Sequence, residues 1–198
     1  MTNTGGMGAV SPVPFFSEEL KQKTIERIIK PTIEGFKSQN LNYRGFVFFG
    51  LIVVNNDPYV IEYNVRMGDP ETEVVIPRIN ESLSAIFADV KEGELKTRVA
   101  NKIDKFCTTV FSVSGGYPEG YEKGKEIKLA TRSETLFHAG TQKINETLVT
   151  SGGRVLAATC FGNSMQEALN QSYKNIDMIE FDKKVFRTDI GQDLKKFF

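Results

Sequence analysis

Val60–Glu73 reads VIEYNVRMGDPETE, and the fold turns on how this stretch is read. Val60 to Arg66 alternates like a β-strand. Side chains alternate across a strand, so Glu62, Asn64 and Arg66 share one face, and Ile61, Tyr63 and Val65 share the other. The run then breaks at Gly68-Asp69-Pro70 and brings two more acids, Glu71 and Glu73. A carboxylate and an amide oxygen two residues apart on a rigid strand suit a hard divalent cation such as Mg²⁺, which takes oxygen ligands and keeps few protein donors. An arginine further along suits a phosphoryl group or a developing oxyanion. The same pattern also fits an amphipathic strand with its polar face in water. Spacing alone leaves both readings open.

The neighbouring residues narrow the choice. Gly45–Val54, GFVFFGLIVV, is a continuous apolar run of the kind found in strands buried on both faces. Asn55-Asn56-Asp57-Pro58 is a turn signal, so this run and Tyr59–Arg66 are expected to pair as an interior antiparallel hairpin. Upstream, Leu20, Ile25, Ile28, Ile29, Ile33 and Phe36 recur at helical spacing after Ser17, a candidate N-cap, and Pro31 is expected to kink or break that helix near Ile29. Glu71 to Asp89 reads as helical with an interruption at Pro77. From about Lys102 the chain turns to short strands, a Gly/Pro-rich loop (Gly115–Lys125) and an amphipathic helix capped by Ser164. The expected fold class is α+β, with one unit at 1–100 and a smaller α+β unit at 101–198.

Composition bounds the rest. The chain has 198 residues, 40% apolar and 25% charged, with Lys+Arg and Asp+Glu equal at 25 each. That balance gives no global field for nucleic acid or an anionic membrane. No apolar run approaches the ~20 residues needed to span a bilayer, and the N-terminus lacks the pattern of a signal peptide. Cys107 and Cys160 stand apart in apolar surroundings and read as buried reduced thiols of a cytoplasmic protein. His138, the single histidine, has no readable acid or thiol partner, so zinc chemistry and nucleophilic catalysis have little support. Asn3–Ala9, NTGGMGA, could cradle a phosphate or carboxylate on its backbone N–H groups, or it could be a plain connector.

Taken in order, NTGGMGAVSP, RIIKPTIEGF, YRGFVFFGLIV, VIEYNVRMGDPETE, GGYP, FHAGT, GGRVLAATCFG and RTDIG resemble the phosphoribosylamine–glycine ligase family across essentially the whole chain. The resemblance implies an ATP-grasp fold, of which this chain is the C-terminal half followed by the family's small C-terminal domain. It implies an ATP-dependent joining of glycine to 5-phosphoribosylamine through glycyl phosphate, in purine synthesis. Carried over by position, Glu62 and Asn64 match the metal pair for Mg²⁺ or Mn²⁺, and Arg66 matches the arginine that meets the phosphoryl group. Gly68 and Asp69 match the turn beside the substrates. Asn3, Thr4, Gly5 and Gly6 match a loop that touches substrate.

The departures from the family also count. Many ATP-grasp enzymes carry a further carboxylate on the preceding strand, whereas Gly50 or a neighbour stands there in this sequence. The resemblance leaves the N-terminal half of the enzyme, with its nucleotide clamp, outside this sequence, so that half is the expected partner and the chain alone is expected to be inactive. Two other readings are another ATP-grasp carboxylate–amine ligase and a half-domain that serves in assembly, pairing with itself or with a separate N-terminal half.

Overall fold

The computed structural model describes residues 4–93, 95, 100–130 and 136–198. Among them, strand β1 (Gly8–Ser11) leads to helix α1 (Glu18–Thr24), whose first turn is capped by Ser17 Oγ accepting from Leu20 N at 3.2 Å. Glu18 and Glu19 sit in that first turn, where carboxylates complement the helix dipole. The helix does not break before Pro31. A π-helical turn at Ile25–Ile29 carries it into α2 (Lys30–Ser38), with Lys30 N donating to Ile25 O. Pro31 has no N–H, and its ring would crowd the carbonyl four residues back, so the wider turn lets the helix pass through the proline. Leu20 and Ile28 are buried along this helix, while Ile33 is exposed.

Strands β2 (Phe48–Val54) and β3 (Asp57–Asn64) form the antiparallel hairpin read from the sequence. Asn55 and Asn56 have φ of 51° and 60°, the left-handed pair that a two-residue hairpin turn requires. Lys23 Nζ donates to Asn56 O at 2.9 Å and pairs with Asp57, as does Arg27, fastening α1 to the turn. The expectation of an interior hairpin is not met. It is a two-stranded ribbon, and β2 is only partly buried, with Ile52 49% exposed. On β3, Tyr59, Ile61 and Tyr63 are more than half exposed, at 56%, 66% and 54%, and so is Val65 just past it, at 67%. Exposed apolar side chains stand on both faces of the ribbon, Ile52 with Tyr59 on the face that carries Glu62 and Asn64, and Tyr63 on the other.

After Gly68-Asp69-Pro70 the chain forms α3 (Thr72–Val75) and a 3₁₀ turn at Ile76–Arg78 that contains Pro77. α4 (Leu83–Glu92) starts on Ser82 and ends at Gly93, whose φ of 78° is the left-handed C-cap that favours glycine.

The second half is built on β4 (Phe106–Ser114) and β9 (Arg154–Gly162). Between them lie β5 (Lys128–Leu129), β6 (Leu136–His138) and the hairpin of β7 (Thr141–Ile144) with β8 (Thr147–Thr150). α5 (Met165–Asp177) follows, then β10 (Ile179–Glu180), which pairs with β5, and β11 (Lys184–Val185). The main antiparallel sheet runs β1-β4-β9-β6, with β11 also on β4. β1 is therefore contributed by the N-terminal segment, in register Gly8↔Val110 to Ser11↔Cys107. α5 caps itself on Ser164, whose Oγ accepts from Glu167 N at 3.1 Å, and buries Leu169 and Ile176 in a core with Val110, Val155 and Leu156. Ser172 Oγ and Thr108 Oγ1 satisfy each other at 2.8 Å within that core. Cys107 and Cys160 are free and buried, and burial pushes the Cys107 thiol up to about 12.

Candidate active site

Glu62 and Asn64 sit where the strand reading put them. Asn64 Nδ2 donates to Glu62 Oε1 at 2.9 Å, so the pair is side by side on one face of β3. The hairpin register places Gly50 opposite Glu62, at a bulge between Gly50 and Leu51. A Cβ on Gly50 would stand 2.8 Å from Glu62 Cγ. The glycine makes room for the carboxylate stem that crosses it.

Asn64 Oδ1 and the Glu62 carboxylate are hard oxygen donors, the type Mg²⁺ and Mn²⁺ accept. They form a partial set. Among the described residues, no group of three or more His, Cys, Asp or Glu is arranged to hold a metal. Two donors still fit an ion that completes its shell with water and substrate phosphates.

Arg66 is exposed just past the strand and donates to Met67 O at 2.7 Å. It borders a small cavity of about 140 Å³ with Phe48, Gly68, Glu71 and Val75. Gly68 is buried, and its carbonyl accepts from Thr72 N at 3.0 Å, which fixes the turn as the start of α3.

The Gly-rich loop meets this turn directly. Gly6 lies so close to Pro70 that a Cβ on it would be 2.2 Å from Pro70 Cδ. Arg154, the first residue of β9, bridges the two segments. Its Nη1 donates to Gly6 O at 3.0 Å and to Asp69 Oδ1 at 2.8 Å, and its Nη2 donates to Asp69 Oδ2. Gly5 N donates to Tyr117 Oη at 3.0 Å. Thr4 is exposed at the mouth of the loop, and Asn3 lies outside the described residues.

Two stretches that start 64 residues apart, NTGGMGA at Asn3 and MGDPE at Met67, thus meet through Gly6 and Pro70. Sequence reasoning passed over Arg154 and Tyr117. The signal available was their setting in GGYP and GGRVLAATCFG, two of the stretches that carry the family resemblance. Beneath the turn, burial pushes the Glu73 carboxyl up, its own backbone N–H lowers it less, and the Asp69 charge raises it further. Glu73 Oε2 is buried with no hydrogen-bond partner among the described residues.

Family comparison agrees with this layout. Residues 1–72 match the model described as phosphoribosylglycinamide synthetase, ATP-grasp (A) domain, and residues 107–193 match phosphoribosylglycinamide synthetase, C domain. The chain belongs to the phosphoribosylglycinamide synthetase family. A phosphoribosylamine–glycine ligase of Chlorobaculum tepidum is 41% identical over 195 residues, which cover 96% of this chain and 46% of that protein. One from Fusobacterium nucleatum is 36% identical over the same span, again with 46% of the relative covered. The chain spans about half the length of the curated relatives it matches.

The crystal structure of phosphoribosylamine–glycine ligase from Thermotoga maritima superimposes with a TM-score of 0.85 at 36% identity, covering 95% of this chain and 47% of that one. A biotin carboxylase from Campylobacter jejuni superimposes with a TM-score of 0.66 at 14% identity and shares the fold. The α+β architecture is that of the phosphoribosylglycinamide synthetase structures and of ATP-grasp proteins. No helix among the described residues is long and apolar enough to cross a membrane.

Proposed function

We propose that this chain supplies the metal-binding and acyl-activating side of a cytoplasmic ligase that joins glycine to 5-phosphoribosylamine at the expense of ATP. The observation that carries the proposal is the side-by-side Glu62–Asn64 pair on the strand that leads into the Gly68–Asp69 turn, which Arg154 bonds to the Gly5–Gly6 loop. We assign 1–100 to the ATP-grasp part and 101–198 to the small C-terminal domain, a division supported by the two matched family models.

In this reading Glu62 and Asn64 hold Mg²⁺ or Mn²⁺, which when bound offsets charge on the nucleotide phosphates. The glycine carboxylate oxygen attacks the γ-phosphorus, the bond to ADP breaks, and glycyl phosphate forms. The phosphoribosylamine nitrogen then attacks the carbonyl carbon, phosphate leaves, and the nitrogen sheds a proton. Arg66 sets positive charge beside the transferred phosphoryl group. Thr4 to Gly6, preceded by Asn3, together with Gly68 and Asp69, orient the small substrates so that the reacting atoms meet. Gly50 contributes no carboxylate, so the metal shell depends on the nucleotide and water.

A polypeptide carrying the rest of the ligase is the partner. The exposed apolar side chains of Tyr59, Ile61, Tyr63 and Val65, spread over both faces of the ribbon, favour this and equally suit an assembly role. The test is formation of ADP and glycinamide ribonucleotide. It compares the 198-residue chain alone with the chain joined to the part of a curated relative that it does not span. The chain alone is expected to be silent and the joined protein active. Turnover by the chain alone would overturn its expected dependence on the rest of the ligase. A folded joined protein without turnover would overturn the ligase reading.

A further inference from the structure

We propose that Arg154 is a positioning residue that locks the Gly-rich loop and the Asp69 turn into one substrate-facing unit, with Tyr117 as the second anchor. The proposal rests on the ligase reading above.

The guanidinium makes three bonds to the N-terminal half, two of them a parallel fork onto one carboxylate that the point charge of an ammonium does not reproduce. Its planar fork takes both oxygens of Asp69 while Nη1 also reaches Gly6 O. Its Cζ lies 5.1 Å from the centroid of the Phe111 ring on β4, so the flat face is supported as the edge bonds. The Arg154 side chain is 21% exposed against 46% for Asp69, which keeps the pair within reach of a ligand without freely solvating it.

The loop that carries Arg154 is itself pinned. Ser114 N donates to Gly153 O at 2.8 Å, and Ser114 Oγ donates to Gly152 O at 3.0 Å. The Tyr117 ring lies flat against Gly153, where a Cβ would come within 2.2 Å of Cδ2. The same tyrosine accepts the Gly5 N–H. Adjacent residues of the Gly-rich loop are thus held by two side chains of the C-terminal half, and Asp69 is held by one of them. Asp69 follows β3 by a few residues, so the bonds of Arg154 fix how far the loop stands from the strand that bears Glu62 and Asn64. The C-terminal half therefore sets the geometry of the substrate-facing loop and turn. The ligands so positioned are the two small substrates, one a carboxylate and the other a phosphate ester bearing an amine.

The test uses Arg154→Met, Arg154→Lys and Tyr117→Phe. Amide hydrogen exchange in the 198-residue chain is followed at Gly5 and at Leu169, which lies in the α5 core. Tyr117→Phe is expected to speed Gly5 exchange by about tenfold, since it deletes the acceptor. Arg154→Met is expected to do the same although it does not touch that N–H, with Leu169 unchanged. Gly5 exchange within about twofold of the unsubstituted chain in Arg154→Met would overturn the locking role. If that variant loses protection at Leu169 as well, Arg154→Lys, which keeps the charge and loses the fork, decides by the same criterion.

In the joined ligase, Arg154→Lys is expected to lower kcat/KM for glycine or phosphoribosylamine by about tenfold or more while the KM for ATP stays within about twofold. Equal losses for all three substrates, or none, would overturn the positioning role. A joined protein that is inactive before any substitution would count against the ligase reading, and the exchange result would still decide the locking.

Discussion

Gly6 and Pro70 touch so closely that the space for a Cβ on the glycine is already filled by the proline ring, 2.2 Å away at Cδ. The contact joins a loop at the start of the chain to the turn that follows β3. Gly6→Ala must push one of them aside. Overpacking of this kind costs about 1–3 kcal/mol. The expected outcome is a lower thermal midpoint together with faster amide exchange at Gly5, both read on the 198-residue chain. An unchanged midpoint with unchanged exchange would show that the loop does not rest on the proline.

Gly50 opposite Glu62 makes a different kind of prediction. A methyl group at position 50 would stand 2.8 Å from Glu62 Cγ and turn the carboxylate away from Asn64. Gly50→Ala is expected to weaken Mn²⁺ binding by about tenfold, the size typical of disturbing a ligand's support. The hairpin is partly exposed, so the thermal midpoint is expected to move little. Water-proton relaxation measures the first and calorimetry the second.

Glu73 ties stability to pH. Burial raises its folded-state pKa above the ordinary value of 4.5. In the window between that value and the raised one, the folded state holds a proton that the unfolded state has released. Stability from this group is therefore fully present below the window and is lost as pH rises through it. Glu73→Gln removes the charge and keeps the shape. The variant is expected to raise the thermal midpoint at pH 7 by on the order of 2 °C and to flatten the slope between pH 4 and 7. A midpoint that falls at pH 7 would mean that the ionised carboxylate is paired.

The exposed apolar side chains at β3 predict association. Tyr59 pairs with Ile52 and Tyr63 with Phe49, and the bulge between the two pairs sends the tyrosines to opposite faces, so the ribbon exposes apolar surface on both, with Ile61 and Val65 adding to it. Ile61→Thr with Val65→Thr keeps β-propensity and removes apolar surface. The double variant is expected to bind less hydrophobic dye and to scatter less light than the unsubstituted chain. Equal dye binding would show that these side chains are not the accessible apolar surface.

Much of this arrangement was legible in the residues. The turn at Asn55-Asn56, the caps at Ser17 and Ser164 and the strand face bearing Glu62 and Asn64 are local signals, and local signals survive folding. Burial of the hairpin was misread because a run that is apolar on both faces looks the same whether or not its second face is covered within the chain. Pro31 signalled disruption, yet the π turn at Ile25–Ile29 absorbs it, with Leu20 and Ile28 both buried upstream of the proline. Arg154 and Tyr117 were out of reach. Their importance lies in bonds to Gly6, Asp69 and Gly5, across separations of 148, 85 and 112 residues, which no spacing pattern announces.

The central claim is that Glu62 and Asn64 form the metal end of a phosphoryl-transfer site. Paramagnetic broadening by Mn²⁺, with ATP present, on the ¹⁵N-labelled 198-residue chain tests it most directly. The account predicts selective broadening of the amides from Glu62 to Arg66, relieved by excess Mg²⁺ and lost in Glu62→Gln. Broadening centred elsewhere, or unaltered by Glu62→Gln, would contradict it.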